Sequence, residues 1–188
     1  MQRYGFKNAQ DMVDKFVEYH NELVSPEDLV YVVGDVVNQN TPEFLPQVER
    51  FNGNKILLRG NHDRVFTDEQ LEPYFEEIYQ EKEFIPVWVG DTCFKVQHYP
   101  TEASLNHFNL VGHIHGAWKV QLNCINIGVD CNCFRPHNLD EDIPFLVTAI
   151  EKFYDNDVWV AYDDANKMYK EERGKKGRYL DVDGLVGG

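Results

Sequence analysis

The chain has 188 residues, of which 43% are hydrophobic and 27% are charged, and its formal net charge at pH 7 is -14. This length and composition predict one globular domain with a substantial core. So acidic a surface argues against binding to extended nucleic acid or anionic membranes, although bound divalent cations would reverse the field locally and admit a phosphate substrate.

The sequence has none of the usual signals for export or membrane insertion. It contains no run of eighteen or more apolar residues, and residues 1–7 lack the apolar core of a secretory signal. The cysteines are too few and too unevenly spaced for a disulfide framework: Cys93, Cys124, Cys131 and Cys133. We therefore expect a cytoplasmic protein with reduced thiols. The alternative, a zinc site at Cys131-x-Cys133 with His137, lacks the usual spacing and a second cysteine pair.

The first predicted elements are a helix and a buried strand. Residues 8–22 are predicted to be helical because one face is apolar, with Met12, Phe16, Tyr19 and Leu23. The apolar and largely β-branched run of residues 29–33 predicts a central strand that is buried on both faces. This strand ends at Gly34-Asp35.

A second helix and strand repeat this order. Thr41-Pro42 fits the N-cap and first position of a short helix that reaches about Arg50. Residues 55–58 predict another buried strand, which ends at Gly60. The segment Thr67–Gln70 matches a capping box and predicts a helix through about Ile78.

Strands dominate the middle of the chain. Five are predicted, over residues 83–89, 92–97, 108–111, 117–121 and 123–127, with a hairpin turn at Gly90-Asp91. A helix interrupted by Pro144 is predicted over residues 138–153, and a last strand over residues 158–162. This order of elements predicts a layered α/β domain on mixed sheets over residues 1–162, followed by a charged, glycine-rich and mobile tail over residues 163–188.

Polar segments follow four of the predicted strands, and loops at the carboxyl ends of strands are where α/β sheets place their ligands. A single histidine is more often a surface or core residue than a ligand. Together, however, one carboxylate, one carboxamide and several imidazoles suit Mn, Fe, Zn, Ni or Co better than Ca or Mg. The segments are Gly34-Asp35, Gly60-Asn61-His62-Asp63, His98-Tyr99-Pro100 and Gly112-His113-Ile114-His115-Gly116.

In this order and spacing, the four segments resemble the calcineurin-like metallophosphoesterases, which carry Asp-x-His, Gly-Asp, Gly-Asn-His-Asp/Glu, a lone His and Gly-His-x-His. The resemblance covers residues 1 to about 140. Residues 126–130 and 134–136 are similar to small phosphoesterases of bacteria and their phages, so the location would be a host cytoplasm if the protein is phage-encoded. The resemblance implies an α/β/β/α sandwich with two metal ions that activate water for attack on phosphorus.

The resemblance also implies a role for each matched residue. Asp35 is similar to the carboxylate that bridges the two ions, and His115 to a ligand of the first ion. His62 matches the catalytic histidine near the leaving-group oxygen, and Asp63 the partner that orients it. The other ligands of the second ion would be Asn61, His98 and His113.

Two features narrow the substrate. The family's phosphoprotein phosphatases continue Gly-Asp with Asp-Arg-Gly, whereas this chain reads Val36-Val37-Asn38. No long insertion that could form a cap lies between the motifs. Both features favour a phosphodiesterase or phosphomonoesterase that acts on a small or nucleotide-type substrate. Arg64 and Arg135 are candidate phosphate contacts, although each is equally well interpreted as a surface arginine.

The family's first motif, Asp-x-His, does not occur in the 188 residues. Two ligands of the first ion, and a normally central first strand, are therefore missing or replaced. Three explanations stay open: a truncated N-terminus, a naturally short protein that binds one metal at the second site, and a non-catalytic relative that uses the fold for binding. The first predicted helix offers only poor substitutes, Asp11, Asp14 and His20. We expect metal to occupy the second site preferentially.

Overall fold

The computed structural model describes residues 5–152 of the protein. Within them, eight strands form two sheets. The α-helices are α1 (Ala9–Asn21), α2 (Asp68–Leu71) and α3 (Asp142–Lys152). Shorter 3-10 helices lie at Pro42–Arg50, His62–Val65, Pro100–Glu102 and Val129–Cys131.

The chain divides into two units, residues 1–148 and residues 149–188, and the eight strands belong to the first. The predicted strand over residues 158–162 and the predicted start of a tail at residue 163 lie outside the described residues and stay predictions. Among residues 5–152, no helix is both long enough and apolar enough to cross a membrane.

The first sheet contains three parallel strands in the order β1 (Leu29–Val32), β2 (Asn54–Leu58) and β3 (Glu77–Tyr79). One hydrophobic cluster joins this sheet to the 3-10 helix at Pro42–Arg50 and to the segment around α2. Its buried members are Leu45, Val48, Leu57, Phe66, Leu71 and Phe75. The sheet carries two of the four polar segments, after β1 and after β2.

The predicted burial of β1 on both faces was wrong. Within the described residues β1 pairs with β2 alone and forms the edge of the sheet. Leu29 is 50% exposed, and the other residues of β1 are half-buried. An apolar run indicates that a strand is apolar on both faces. It does not indicate how many other strands pair with that strand.

The helix predicted from Thr67 through Ile78 was also wrong in its extent. Gln70 Oε1 accepts the N–H of Thr67 at 2.9 Å, as a capping box requires, but α2 ends after one turn. Pro73 supplies no N–H for a helix and its ring disfavours helical continuation. Residues 77–79 instead pair with β2 as β3, so that sheet pairing takes over where the helix stops.

The second sheet has five strands in the order β4 (Ile85–Val89), β5 (Thr92–Gln97), β6 (Phe108–Val111), β8 (Cys124–Asn126) and β7 (Val120–Gln121). β4 and β5 form the predicted antiparallel hairpin around Gly90, whose φ is 57°. β5, β6 and β8 are parallel. The carboxyl ends of these three strands therefore lie at one edge of the sheet.

The structure shows where the first and the last of the predicted helices begin. The helix predicted over residues 8–22 is confirmed as α1, with Asn8 as its N-cap. The helix predicted from Asn138 begins at Asp142 instead, because the Asn138 side chain binds the backbone of the preceding turn. Pro144 then lies in the first turn of α3, where a helix needs no N–H donor, and does not interrupt it.

The two sheets approach each other at the carboxyl ends of β1, β5 and β6. The carbonyl of Val33 accepts a hydrogen bond from Nδ1 of His98 at 2.8 Å. A Cβ atom on Gly112 would lie 2.9 Å from the same carbonyl oxygen. This mixed architecture of two sheets with helices agrees with the predicted α/β/β/α sandwich, and it brings the polar segments together.

Candidate metal centre

Two glycine turns bring the first two polar segments into contact. Gly34 and Asp35 both adopt left-handed backbone conformations, with φ values of 77° and 55°. A Cβ atom on Gly34 would lie 2.5 Å from the backbone nitrogen of Gly60, and one on Gly60 would lie 2.4 Å from Oδ1 of Asp35. Glycine is needed at both positions because the two turns pass too close for a side chain.

Asp63 fastens these turns together. It is fully buried, and its carboxylate accepts the N–H groups of Asp35 and Gly60, each at 2.8 Å, and of Val36 at 2.9 Å. Burial raises the pKa of Asp63 above its ordinary value, although the three N–H donors act in the opposite direction. The resemblance implied that Asp63 orients the His62 ring, whereas these contacts direct its carboxylate to the backbone of the two turns.

The His62 ring takes its hydrogen bond from another residue. Its Nδ1 accepts the backbone N–H of Gln39 at 3.3 Å, so Nε2 carries the proton of the neutral ring. The backbone N–H of His62 donates to Oδ1 of Asp35 at 2.9 Å. His62 therefore lies beside the candidate metal ligand with a proton-bearing nitrogen.

Three of the predicted ligands form a compact cluster: the ligand atoms of Asp35, His98 and His113 all lie within 4.8 Å of one another. Asn61 joins them, with its Oδ1 atom 3.3 Å from Nε2 of His98. His98 is buried at the end of β5, whereas His113 is exposed on the loop after β6. The structure thus brings together all four residues that the resemblance assigned to the second metal ion.

The chemistry of these donors fits a divalent cation. Because Nδ1 of His98 donates to Val33, the lone pair on Nε2 faces Oδ2 of Asp35, at 3.5 Å, and Oδ1 of Asn61. These electron-pair donors repel one another unless a positive charge lies between them, which is either a proton on Nε2 of His98 or a metal ion. A cation held by a carboxylate, an amide oxygen and two imidazoles satisfies them all.

The titration of these groups agrees with a site for positive charge. Burial raises the pKa of Asp35, but the His98 ring and the N–H of His62 outweigh it and hold the pKa below its ordinary value. Burial lowers the pKa of His98, but Asp35 and the Val33 carbonyl outweigh it and raise the pKa overall. For His113, burial and the neighbouring His98 lower the pKa, which favours the neutral form that binds metals.

His115 has a different partner. Its Nδ1 lies 3.0 Å from Oδ2 of Asp130, and its side chain is 76% exposed. His113 and His115 both have left-handed backbones, with φ values of 68° and 50°. The cluster of Asp35 with His98 and His113 does not include His115.

Both candidate phosphate-binding arginines are bound to carboxylates. Arg64 forms a two-pronged ion pair with Glu81. Arg135 pairs with Glu22 at 2.8 Å and lies over the Tyr19 ring. A phosphate could bind either guanidinium only through its remaining N–H groups or in competition with these carboxylates.

The predicted poor substitutes for the missing ligands have other partners. Asp11 accepts the N–H of Lys7, Asp14 pairs with Arg50 at 2.7 Å, and the His20 ring lies 3.0 Å from the carbonyl of Asn52.

The alternative zinc site is not supported either. The four cysteines are free thiols. Among residues 5–152, Cys131, Cys133 and His137 do not form a group that could hold a metal ion.

Sequence reasoning missed four residues that contact the site: Gln39, Glu81, Tyr99 and Asp130. Tyr99 and Asp130 lie inside sequence segments that resemble the phosphoesterase family, so their positions could have identified them as site residues. Glu81 and Gln39 had no such signal, because their contacts depend on how separate loops fold against each other.

Comparison with known proteins supports the family resemblance. A family model described as calcineurin-like phosphoesterase matches residues 5–145. The uncharacterized protein MJ1445 of Methanocaldococcus jannaschii is 24% identical over 159 residues, which cover 78% of this chain and 80% of that protein. The crystal structure of the protein of unknown function AQ665 from Aquifex aeolicus is similar in fold, with a TM-score of 0.53 and 24% identity over 72% of this chain and 83% of that one.

Proposed function

Since the chain belongs to the calcineurin-like phosphoesterase family, we propose that it is a metal-dependent hydrolase of small or nucleotide-type phosphate esters, either diesters or monoesters. The observation that carries the proposal is the proximity of four candidate ligands: three have ligand atoms within 4.8 Å of one another, and the fourth lies 3.3 Å from Nε2 of His98. They come from four separate loops: Asp35, Asn61, His98 and His113.

Two of the proposed ligands are held in place by hydrogen bonds to the backbone. Asp35 is fixed by the N–H of His62, and His98 by the carbonyl of Val33. A divalent ion bound there supplies Lewis-acid activation of water and neutralises charge on the phosphate. The donor set suits Mn, Ni, Fe, Zn or Co. The family uses two ions, and we propose one preferred ion here, because His115 is paired with Asp130 away from the four ligands.

His62 is the proposed proton donor. Its Nδ1 is occupied by the N–H of Gln39, so Nε2–H is the group that remains for the leaving-group oxygen. Asp63 acts indirectly in this proposal, by holding the backbone on both sides of the site through its three hydrogen bonds.

The proposed site is open to solvent and would admit generic phosphate esters. His113 is exposed beside the buried His98, and His115 is exposed on the same loop. A cleft of about 490 Å³ lies at the other end of β5, around Trp88 and Leu105, and contains none of the proposed site residues. With a net charge of -14, the chain is poorly suited to a long polyanion.

Hydrolysis of bis-p-nitrophenyl phosphate and p-nitrophenyl phosphate with added Mn²⁺ or Ni²⁺ tests the proposal. The variant His62→Ala should lower kcat by about 100-fold or more and still bind metal. His107→Ala, at an exposed histidine outside the site, is the matched control and should retain activity. Metal analysis after dialysis should give one equivalent per chain, and two equivalents would contradict the preference for one site.

A second function has its own support. His115, the candidate ligand of the first ion, pairs with Asp130 and lies outside the cluster of Asp35, His98 and His113, which favours an impaired or inactive relative that binds a phosphate ligand. That protein would bind metal and inorganic phosphate but would not turn over either ester with any of the five metals. Ester hydrolysis by the wild type that is lost in His62→Ala would exclude this second function.

A further inference from the structure

Tyr99 packs against both histidines of the candidate metal centre. Its ring centroid lies 4.8 Å from that of His98 and 4.6 Å from that of His113, in edge-to-face geometry. The two histidine rings are themselves 5.1 Å apart. The three rings therefore contact one another in a closed triangle.

The two histidines are supported differently. His98 is buried, and its Nδ1 is held by the Val33 carbonyl. His113 is exposed on a loop with a φ of 68°, and within the described residues no hydrogen bond holds its ring. The His113 ring is restricted by packing against His98 and Tyr99. Of these two residues, His98 is itself a candidate ligand and Tyr99 is not.

Tyr99 is in turn anchored away from the metal centre. Its hydroxyl donates to Glu81, and Glu81 holds Arg64 in a two-pronged ion pair. Glu81 is only 17% exposed, whereas Arg64 is 66% exposed.

We propose that Tyr99 is a positioning residue that holds the His113 ring in place for metal binding, and that Glu81 and Arg64 anchor Tyr99. The inference rests on the proposed metal centre. It also assigns Arg64 a structural role in place of the predicted phosphate contact. Arg64 binds Glu81, Glu81 binds Tyr99, and Tyr99 packs against the two histidines.

Titration with Co²⁺, followed by visible absorption, tests this role. Tyr99→Leu removes the ring and should weaken Co²⁺ binding by about 10-fold to 100-fold, with an altered ligand-field spectrum. Tyr99→Phe keeps the ring, and Glu81→Gln weakens the anchor. Both should weaken binding by about threefold to tenfold, so the effects should be graded.

Tyr79 offers a matched control, because its hydroxyl also donates to a glutamate, Glu77, at 3.0 Å. Tyr79→Phe and Tyr79→Leu should leave Co²⁺ affinity unchanged. A second readout needs no metal: in the metal-free protein, the ¹H–¹⁵N signals of the His113 ring should shift in Tyr99→Leu because its aromatic neighbour is lost, while those of His107 should not.

The outcomes separate this inference from the proposed function. Wild-type Co²⁺ affinity in Tyr99→Leu overturns the positioning role. If Tyr99→Leu does not fold, wild-type affinity in both Tyr99→Phe and Glu81→Gln overturns it instead. A wild-type protein that binds no Co²⁺ overturns the metal centre and this inference together. A wild-type protein that binds Co²⁺ without hydrolysing esters, and loses affinity in the graded order, supports the inference and contradicts only the proposed hydrolysis.

Discussion

Oδ1 of Asp35 accepts the backbone N–H of His62 at 2.9 Å, which ties the carboxylate of one glycine turn to the backbone of the next. The other oxygen, Oδ2, lies 3.5 Å from Nε2 of His98. One oxygen of Asp35 therefore has a structural contact, while the second faces the candidate metal site. A substitution that keeps the first contact and removes the charge separates these two roles.

Asp35→Asn is that substitution. Its amide oxygen can still accept the N–H of His62, so this hydrogen bond between the two turns should be kept. Loss of the carboxylate charge should lower Mn²⁺ affinity by more than about 100-fold, since even partners that only orient metal ligands are worth 10-fold to 100-fold. Isothermal titration with Mn²⁺ measures this. Asp14→Asn, at an exposed aspartate paired with Arg50, should bind Mn²⁺ like the wild type, and equal affinity in both variants would remove Asp35 from the site.

Gly60→Ala tests the close approach of the two turns. The added Cβ would lie 2.4 Å from Oδ1 of Asp35 and 2.6 Å from a ring carbon of His98, so at least one ligand must move. We expect a loss of about 1–3 kcal/mol in the free energy of unfolding and at least about 10-fold weaker Mn²⁺ binding.

Gly90→Ala is the control for Gly60→Ala. Gly90 has a φ of 57° and open space around its Cα, so alanine adds backbone strain without a steric clash. It should cost about 1–2 kcal/mol of stability and leave Mn²⁺ affinity unchanged. If both variants bind Mn²⁺ like the wild type, the two turns are not packed as closely as the structure places them.

The strand ends that carry the candidate site residues are encoded by short sequence patterns. Apolar runs that end in a glycine turn, such as the run before Gly34, mark strand ends in any parallel sheet. Within one sheet those ends lie at the same edge, so local signals account for the pair Asp35 and Asn61 and for the pair His98 and His113. That the two pairs meet depends on how the two sheets pack, which short patterns do not encode.

The contacts that sequence reasoning missed depend on packing between distant segments. Nothing in the residues around Glu81 indicates that its carboxylate receives both Tyr99 and Arg64. The same limit explains why β1 was predicted to be central: an apolar run does not encode the number of neighbouring strands. Residues 77–79 form a strand because they pair with the free edge of β2. A helical pattern in the sequence does not indicate that such an edge lies nearby.

Asp63→Asn should destabilise the protein more than an ordinary charge change. Oδ2 of Asp63 accepts two N–H groups, from Asp35 and Gly60, and Oδ1 accepts that of Val36. An amide presents an NH₂ group to at least one of these donors and leaves it unsatisfied in a buried site. The expected loss is about 2–4 kcal/mol in the free energy of unfolding, measured by urea denaturation without metal. Asp91→Asn, at an exposed turn position, should change the free energy of unfolding very little. An equal loss of stability in both variants would contradict the special role of Asp63.

The last prediction concerns the pH dependence of stability. His20 is 5% exposed, and burial holds its pKa below the ordinary 6.5 although its hydrogen bond to the Asn52 carbonyl acts in the opposite direction. The unfolded chain therefore binds a proton at a higher pH than the folded protein does. His20 contributes stability above about pH 6.5, and this contribution is lost as the pH falls toward its lower folded pKa.

His20→Gln loses the ring contact with Phe51 and should be less stable than the wild type at about pH 7.5. It should lose less stability than the wild type between that pH and about pH 5.5, because it has no proton to bind. Urea unfolding of both proteins at closely spaced pH values, in the presence of a chelator, measures the two slopes. The buried His98 and the partly buried His137 are present in both proteins, so their titration cancels in the difference. His107→Gln, at an exposed histidine, serves as the control and should run parallel to the wild type. Parallel curves for His20→Gln and the wild type would mean that His20 does not have to lose its proton for the protein to fold.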